Sequence, residues 1–215
     1  MLFKLTDTST WTMPELDFNF WFAVVLSVAF VCYLVYVFVK ENKKLGVYDI
    51  SLIAIFTALS VVLSKIELVS FPQGGGITLC QFLPIMVLTL LTGKRNGILA
   101  GLAFGLINLI GGYLIHPVQI IFDYILPPMA ISLVLFDGKK EKKDLLINFL
   151  VTFIVFIGSM CLSGATFFGS FAPEGQNVWL YSIIYNATGS GVDLLIDFVI
   201  LFFLPLDRLA RAIRK

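Results

Sequence analysis

The chain has 215 residues, of which 59% are hydrophobic and only 13% are charged. Its mean hydropathy is +0.95, whereas a soluble domain carries about a quarter charged residues, so the composition excludes a soluble protein. The net charge of +1 gives no indication of nucleic-acid binding. The apolar runs are continuous and lack the alternation of a membrane β-barrel, so we predict an all-α protein within the lipid bilayer.

Seven apolar stretches are candidate membrane spans, which leaves little chain for a soluble domain. The first is preceded mainly by acidic residues, so we expect a retained helix rather than a cleaved signal peptide. The stretches lie at residues 18–39, 50–66, 77–92, 96–112, 117–136, 145–167 and 179–204.

Basic residues indicate the orientation of these spans. Thirteen of the fifteen Lys and Arg residues fall in connectors that seven spans place on one side, together with the C-terminal tail. The positive-inside rule assigns that side to the cytoplasm, so we predict an outside N-terminus and a cytoplasmic C-terminus. The opposite connectors, 67–76, 111–116 and 168–178, are rich in Gly, Pro and aromatic residues, and we expect an outward-open site there.

Two runs of small residues predict close helix contacts. Gly97, Gly101 and Gly105 recur every four residues in the fourth span, and we interpret them as packing residues within the chain. Ala54 and Ala58 have the same spacing in the second span, where the face serves either packing or a partner protein.

Asp123 is the first candidate for ligand binding, because an ionisable side chain at membrane depth usually faces a cavity or a partner. Gln119 and Asp123 are four residues apart and share one helical face. With Tyr124 and Tyr113, Asp123 is suited to a cationic or hydrogen-bonding organic ligand. The alternative is a polar contact within the helix bundle.

A second polar cluster begins the last span. Tyr181 and Asn186 can lie on one broad helical face, and Asn186 at membrane depth favours a binding role. Trp179 belongs either to this site or to the aromatic belt at the membrane surface. Further along the same span, Asp193 and Asp197 form either a proton or cation relay or polar contacts with neighbouring helices.

Several enzyme classes are excluded by missing motifs. The chain has no G-x-x-x-x-G-K-[ST] loop for ATP hydrolysis, and its single His116 excludes H-E-x-x-H zinc chemistry. The three cysteines have no paired spacing and predict neither a disulfide framework nor a metal site. We therefore expect a binding or transport protein with no catalysis, metal or cofactor of its own.

Short motifs spread over residues 48–206 resemble one family when taken in order. The chain is similar to the thiamine-specific substrate-binding (S) components of energy-coupling factor (ECF) vitamin transporters. The motifs are Phe71-Pro72-Gln73-Gly74-Gly75, Pro84-Ile85, Gly97 to Gly105, His116-Pro117-Val118-Gln119, Asp123-Tyr124, Leu162-Ser163-Gly164, Phe167-Phe168-Gly169, Ala172-Pro173-Glu174-Gly175, Tyr181-Ser182 and Tyr185-Asn186.

The resemblance implies a six-helix domain that binds thiamine from outside and assembles with a transmembrane coupling subunit and two ATPase subunits. It assigns the vitamin pocket to Asp123, Tyr124, Tyr113, Tyr181 and Asn186, with Phe168 at an aromatic position. It also matches Ala54 and Ala58 to a motif that contacts the coupling subunit. We accordingly divide the chain into an N-terminal tail, extra helix and linker (1–47) and the substrate-binding domain with its basic tail (48–215).

The chain departs from the family pattern at three places. Met160 stands where the family usually has His, which leaves a related ligand such as a pyrimidine precursor of thiamine open. The helix at 18–39 is additional, and Asp193 with Asp197 matches no family feature. The alternative functions are an ion-coupled secondary transporter of a small cationic metabolite, motivated by those two acids, and a membrane scaffold.

Overall fold

The computed structural model describes residues 4–5, 18–40, 44–135 and 141–213, and most of them are helical. Four short strands accompany the helices: β1 (Lys4–Leu5), β2 (Glu67–Ser70), β3 (Gly76–Thr78) and β4 (Tyr113–Leu114). Strand β1 pairs in parallel with β4, and β2 pairs antiparallel with β3. The helices are α1 (Phe18–Lys40), α2 (Val47–Ser64), α3 (Leu83–Thr92), α4 (Lys94–Leu109), α5 (Leu126–Ala130), α6 (Lys142–Phe167), α7 (Val178–Asn186), α8 (Val192–Phe203) and α9 (Leu206–Ile213).

Two spans contain a wider π-helical turn. The turn Ile120–Ile125 precedes α5, and the turn Ala187–Gly191 joins α7 to α8. Pro127 and Pro128 have no N–H to donate to the carbonyls four residues earlier, so regular α-helical bonding is interrupted there. Single π turns of this kind occur frequently at functional sites.

Among the residues that the structure describes, three helices are long and apolar enough to cross a membrane: Val47–Ser64, Lys143–Phe167 and Val178–Phe203. Shorter apolar helices cover Val24–Lys40, Leu83–Thr92 and Ile120–Leu135. The predicted stretch 77–92 is helical only from Leu83, which corrects its boundary. Its first residues belong to β3 and to a bend at Cys80, whose φ of 58° is incompatible with a right-handed helix.

Helix α3 lies at the centre of the main apolar core, where Ile85, Met86 and Leu88 are fully buried. The glycines of α4 bring their neighbours close, as the sequence predicts. An added Cβ at Gly97 would overlap the Thr89 side chain, and one at Gly105 would overlap the Tyr124 carbonyl oxygen. Helix α4 therefore packs closely on both α3 and the turn Ile120–Ile125.

The additional helix α1 packs on one side of this bundle. Its Val37 is 2% exposed and clusters with Ile98 of α4 and Met129 of α5, while Phe30 packs near Phe122. Ala54 and Ala58 on α2 remain exposed. The additional helix therefore leaves this alanine face uncovered.

The ends of α1, α2 and α4 that carry the predicted cytoplasmic connectors lie together. Asn96 Nδ2 donates to Asp49 Oδ1 at 3.1 Å, and the Arg95 guanidinium lies 5.3 Å from the centre of the Phe38 ring. Part of the predicted basic surface lies outside the described residues, namely Lys43, Lys139, Lys140, Arg214 and Lys215.

Candidate functional site

A cavity of about 630 Å³ lies between the helices and the Gly-rich connectors. Its volume is within the range of about 300–1,000 Å³ that is typical of small-molecule sites. The connectors 67–76 and 111–116 contribute to its wall. Seven of the predicted binding residues line it: Tyr113, Gln119, Asp123, Tyr124, Phe168, Tyr181 and Asn186.

The Asp123 carboxylate is held in place by Gln119. Gln119 Nε2 donates to Asp123 Oδ2 at 2.9 Å and to the Tyr113 carbonyl at 3.1 Å. Gln119 Oε1 accepts from the Ile115 N–H at 2.9 Å and from the His116 N–H at 3.4 Å. These four bonds use the hydrogen-bonding capacity of the amide, so in this structure Gln119 orients Asp123 and the connector.

Aromatic rings form much of the remaining wall. The Tyr113 and Phe168 ring centroids are 6.1 Å apart with an interplanar angle of 32°. The Tyr124 hydroxyl donates to the Tyr113 carbonyl at 2.9 Å, which fixes the two tyrosines together. Rings around a carboxylate give a site that favours an organic cation.

The last span supplies a third part of the wall through Tyr181 and Asn186. Asn186 Nδ2 donates to the Ser182 carbonyl at 2.9 Å and to the Met160 carbonyl at 3.3 Å. Both amide hydrogens are thereby used, and the side-chain carbonyl oxygen Oδ1 is the remaining polar atom of Asn186. The Tyr185 hydroxyl donates to the Pro72 carbonyl and accepts from the Gly75 N–H, which ties the 72–75 loop to the cavity.

Trp179 does not lie on the cavity wall, which corrects its prediction as a binding residue. It packs against an apolar cluster around Phe122, Leu126 and Leu162. Tyr181 lies two residues further on and points to the cavity instead. The alternation follows from the helical turn, since residues two apart lie on different faces.

A further part of the wall, formed by the ends of α2 and α4 and by the segment before α3, was not predicted from the sequence. Lys65 Nζ and Ser64 Oγ both donate to Asn108 Oδ1, at 2.8 Å and 3.1 Å. Glu67 and Gln81 also line the cavity. Ser64, Lys65 and Glu67 lie in or beside the connector 67–76, and the predicted outward-facing position of that connector was their only signal in the sequence.

Asp193 and Asp197 hold the segment before α3 from behind. Asp193 Oδ2 accepts from Thr78 Oγ1 at 2.8 Å and from Gln81 Nε2 at 2.7 Å. Asp197 Oδ2 accepts from the Phe82 N–H at 2.8 Å. Of the two predicted roles, polar contact with a neighbouring segment is the one that this geometry displays.

No group of three or more His, Cys, Asp or Glu side chains suited to a metal ion occurs within the described parts of the chain. The three cysteines are free, with Cys161 buried, Cys32 exposed and Cys80 between these extremes. Cys161 Sγ contacts the Ser182 carbonyl at 3.7 Å, so it packs between α6 and α7.

The fold and the cavity define a multi-pass, helical membrane protein with a cavity of small-molecule size between its helices and connectors. Residues 50–212 match the family model described as thiamine transporter protein (Thia_YuaJ). The chain belongs to this family. The match begins after α1, which ends at Lys40.

Curated relatives agree with this assignment, and a solved structure has the same fold. The chain is 38% identical to the thiamine transporter ThiT of Bacillus subtilis, covering 63% of this chain and 79% of that protein. It is 30% identical to the ThiT of Lacticaseibacillus paracasei, covering 68% and 80%. The structure of ThiT from Listeria monocytogenes superposes with a TM-score of 0.63 at 24% identity, over 77% of this chain and 96% of that one.

Proposed function

We propose that the chain is the substrate-binding membrane subunit of an ECF-type transporter and captures thiamine in the cavity. Its relatives are named thiamine transporters, which supports the ligand class. The observation that carries the proposal is the Asp123 carboxylate in a cavity walled by Tyr113, Phe168 and Tyr181. Thiamine is an organic cation with two aromatic rings. The carboxylate can bind its positive charge, and the aromatic side chains can pack against its rings and attract the cation.

The hydrogen-bond acceptors in the cavity wall also support thiamine as the ligand. The donor groups of Asn186 are used within the protein, and Asp123 is an acceptor when it is ionised. This part of the cavity therefore offers acceptors to a ligand. The aminopyrimidine of thiamine carries an amino group that donates hydrogen bonds.

The binding step is tested by titrating the purified chain with thiamine while its Trp and Tyr fluorescence is recorded. We expect saturable quenching, with hydroxymethylpyrimidine competing only at higher concentration because it lacks the thiazolium. Stronger binding of hydroxymethylpyrimidine would assign the site to a pyrimidine precursor, and no response to either compound would overturn the proposal.

We further propose that the exposed face of α2 around Ala54 and Ala58 contacts a coupling subunit that associates with two ATPase subunits. Both alanines are exposed, and small residues allow the backbones of two helices to approach closely. The chain itself has no ATP-binding loop. Copurification with these subunits from the native host tests the assembly, whereas uptake by the chain alone in ion-gradient proteoliposomes would favour a secondary transporter.

We infer that the cavity opens to the outside and that the C-terminus lies in the cytoplasm. The pairing of β1 with β4 places Lys4–Leu5 beside the connector that lines the cavity. The basic residues Arg208 and Arg211 belong to α9, near the other end of the last span. Labelling of single cysteines introduced at Ser70 and Arg208 in intact cells checks this: only the first should react with an impermeant reagent.

A further inference from the structure

Gln81 lines the cavity, but its amide is oriented by a residue behind the wall. Its Nε2 donates to Asp193 Oδ2 at 2.7 Å, and Thr78 Oγ1 donates to the same oxygen at 2.8 Å. Asp193 is fully buried, whereas Gln81 is partly accessible from the cavity. The carboxylate attracts the NH₂ end of the amide and repels its carbonyl oxygen.

This arrangement determines which end of the amide is available to a ligand. With Nε2 turned to Asp193, Gln81 Oε1 is directed away from the carboxylate, and no described residue donates a hydrogen bond to it. Asn186 has the same property, since its Nδ2 is used by two carbonyls. Two amides that line one cavity therefore use their NH₂ groups within the protein and keep their carbonyl oxygens without a donor among the described residues.

We propose that Gln81 is a ligand-recognition residue and that Asp193 is its positioning residue, so that the Gln81 carbonyl selects a ligand with an amino group. The proposal rests on the proposed function and extends it to the choice between related ligands. The expected substrate class is an aminopyrimidine, in which the exocyclic amino group donates to Oε1. A ligand with a carbonyl oxygen at that position would place two acceptors against each other.

Asp197 supplies a matched comparison for Asp193. Both side chains are fully buried on α8 and both anchor the segment before α3. Asp197, however, accepts from the Phe82 backbone, and no contact joins it to the Gln81 amide among the described residues. A purely structural role predicts similar effects of the two acids on ligand choice, whereas the positioning role predicts different effects.

The test compares thiamine with oxythiamine, in which the amino group is replaced by a carbonyl oxygen. Both affinities are measured by fluorescence titration for the purified wild type and for Gln81→Met, Asp193→Ala, Asp197→Ala and the double variant Gln81→Met/Asp193→Ala. In Gln81→Met we expect thiamine to bind about tenfold more weakly, because one hydrogen bond is lost. Oxythiamine should bind that variant no more weakly than it binds the wild type.

In Asp193→Ala the amide is free to turn either end to the ligand, so the preference for thiamine should fall about fivefold or more. Asp197→Ala should keep the wild-type preference. In the Gln81→Met background, Asp193→Ala should not change the preference further, because its effect passes through Gln81.

Two results would overturn the inference: an unchanged preference in Gln81→Met, or equal loss of preference in Asp193→Ala and Asp197→Ala. The first result decides the question even if neither Asp variant folds. Failure of the wild type to bind thiamine would contradict the proposed function itself. If the wild type binds thiamine normally and Gln81→Met keeps the wild-type preference for thiamine over oxythiamine, only the role of Gln81 is contradicted.

Discussion

The two sides of the cavity are positioned by different physical means. The side with Asp123 rests on close packing, because Gly101 and Gly105 of α4 contact the backbone of the Ile120–Leu135 helix directly. The side with Gln81 is held by hydrogen bonds to two buried carboxylates. Small residues and buried acids thus perform the same task, and each leaves a different signature in the sequence.

The comparison also separates two kinds of acid at membrane depth. Gln119 and Asp123, like Asp193 and Asp197, are polar residues four apart in an apolar helix. Asp123 lines the cavity, whereas Asp193 and Asp197 are buried behind it and accept from the chain itself. Spacing alone does not distinguish an acid that lines a cavity from an anchoring acid.

The packed side is tested most severely by Gly105→Leu. The new side chain would overlap the Tyr124 carbonyl and force α4 from the Ile120–Ile125 turn. We expect a loss of about 3 kcal/mol in stability, seen as a large drop in the melting temperature of the detergent-solubilised protein. Gly158→Leu is the matched control, since nothing lies within 4 Å of an added Cβ there. Equal destabilisation by the two changes would remove the packing argument.

Asp123→Asn separates ligand binding from positioning. The neutral side chain has nearly the same size, so the fold should persist while the charge contact with thiamine is lost. We expect binding to weaken by about 1.5–3 kcal/mol, the range for a hydrogen bond to a charged group. Fluorescence titration measures the change, and unaltered thiamine affinity would show that this carboxylate is structural.

Asp197→Ala, on the side of the cavity held by acids, should lower stability and leave thiamine affinity nearly unchanged, the reverse of Asp123→Asn. The buried Phe82 N–H loses its partner, so we expect a stability loss of about 1–3 kcal/mol. Asp197 does not line the cavity, and the folded variant should bind thiamine with an affinity within about threefold of the wild type. If the free energy of thiamine binding falls by more than the free energy of unfolding, Asp197 belongs among the binding residues.

The smallest effect on the cavity is expected from a change outside both of its sides. Ala58→Leu on the exposed face of α2 should leave thiamine binding unchanged and prevent copurification with the coupling subunit. Ala29→Leu, at an exposed position of α1, is the control and should affect neither measurement. Loss of binding together with assembly in Ala58→Leu would identify this face as internal packing.

Patterns with a fixed helical period were predictive because helix geometry alone determines their outcome. The glycine spacing of α4 correctly indicated close contacts, and the four-residue spacing correctly brought Gln119 to Asp123. Tyr113, Phe168, Tyr181 and Asn186 line the same cavity from other segments, and the family resemblance, not a helical period, implied that they meet. Trp179 was the exception, since an aromatic residue at a helix end suits either apolar packing or a ligand site.

Features that depend on distant segments could not be predicted. Gln81 and Asn108 are polar residues near helix ends, and only folding places them around the same cavity as Asp123. The shortened α3 depends on Asp193 and Asp197, more than a hundred residues later in the chain. No local propensity records such a partner, so the sequence left both acids with two possible roles.

A structure of the chain determined with thiamine tests the central claim most directly. We expect the vitamin between Asp123 and the rings of Tyr113, Phe168 and Tyr181, with its amino group within hydrogen-bond distance of an acceptor on the last span or on Gln81. Thiamine bound at any other place, with this cavity unoccupied at a saturating concentration, would contradict the account.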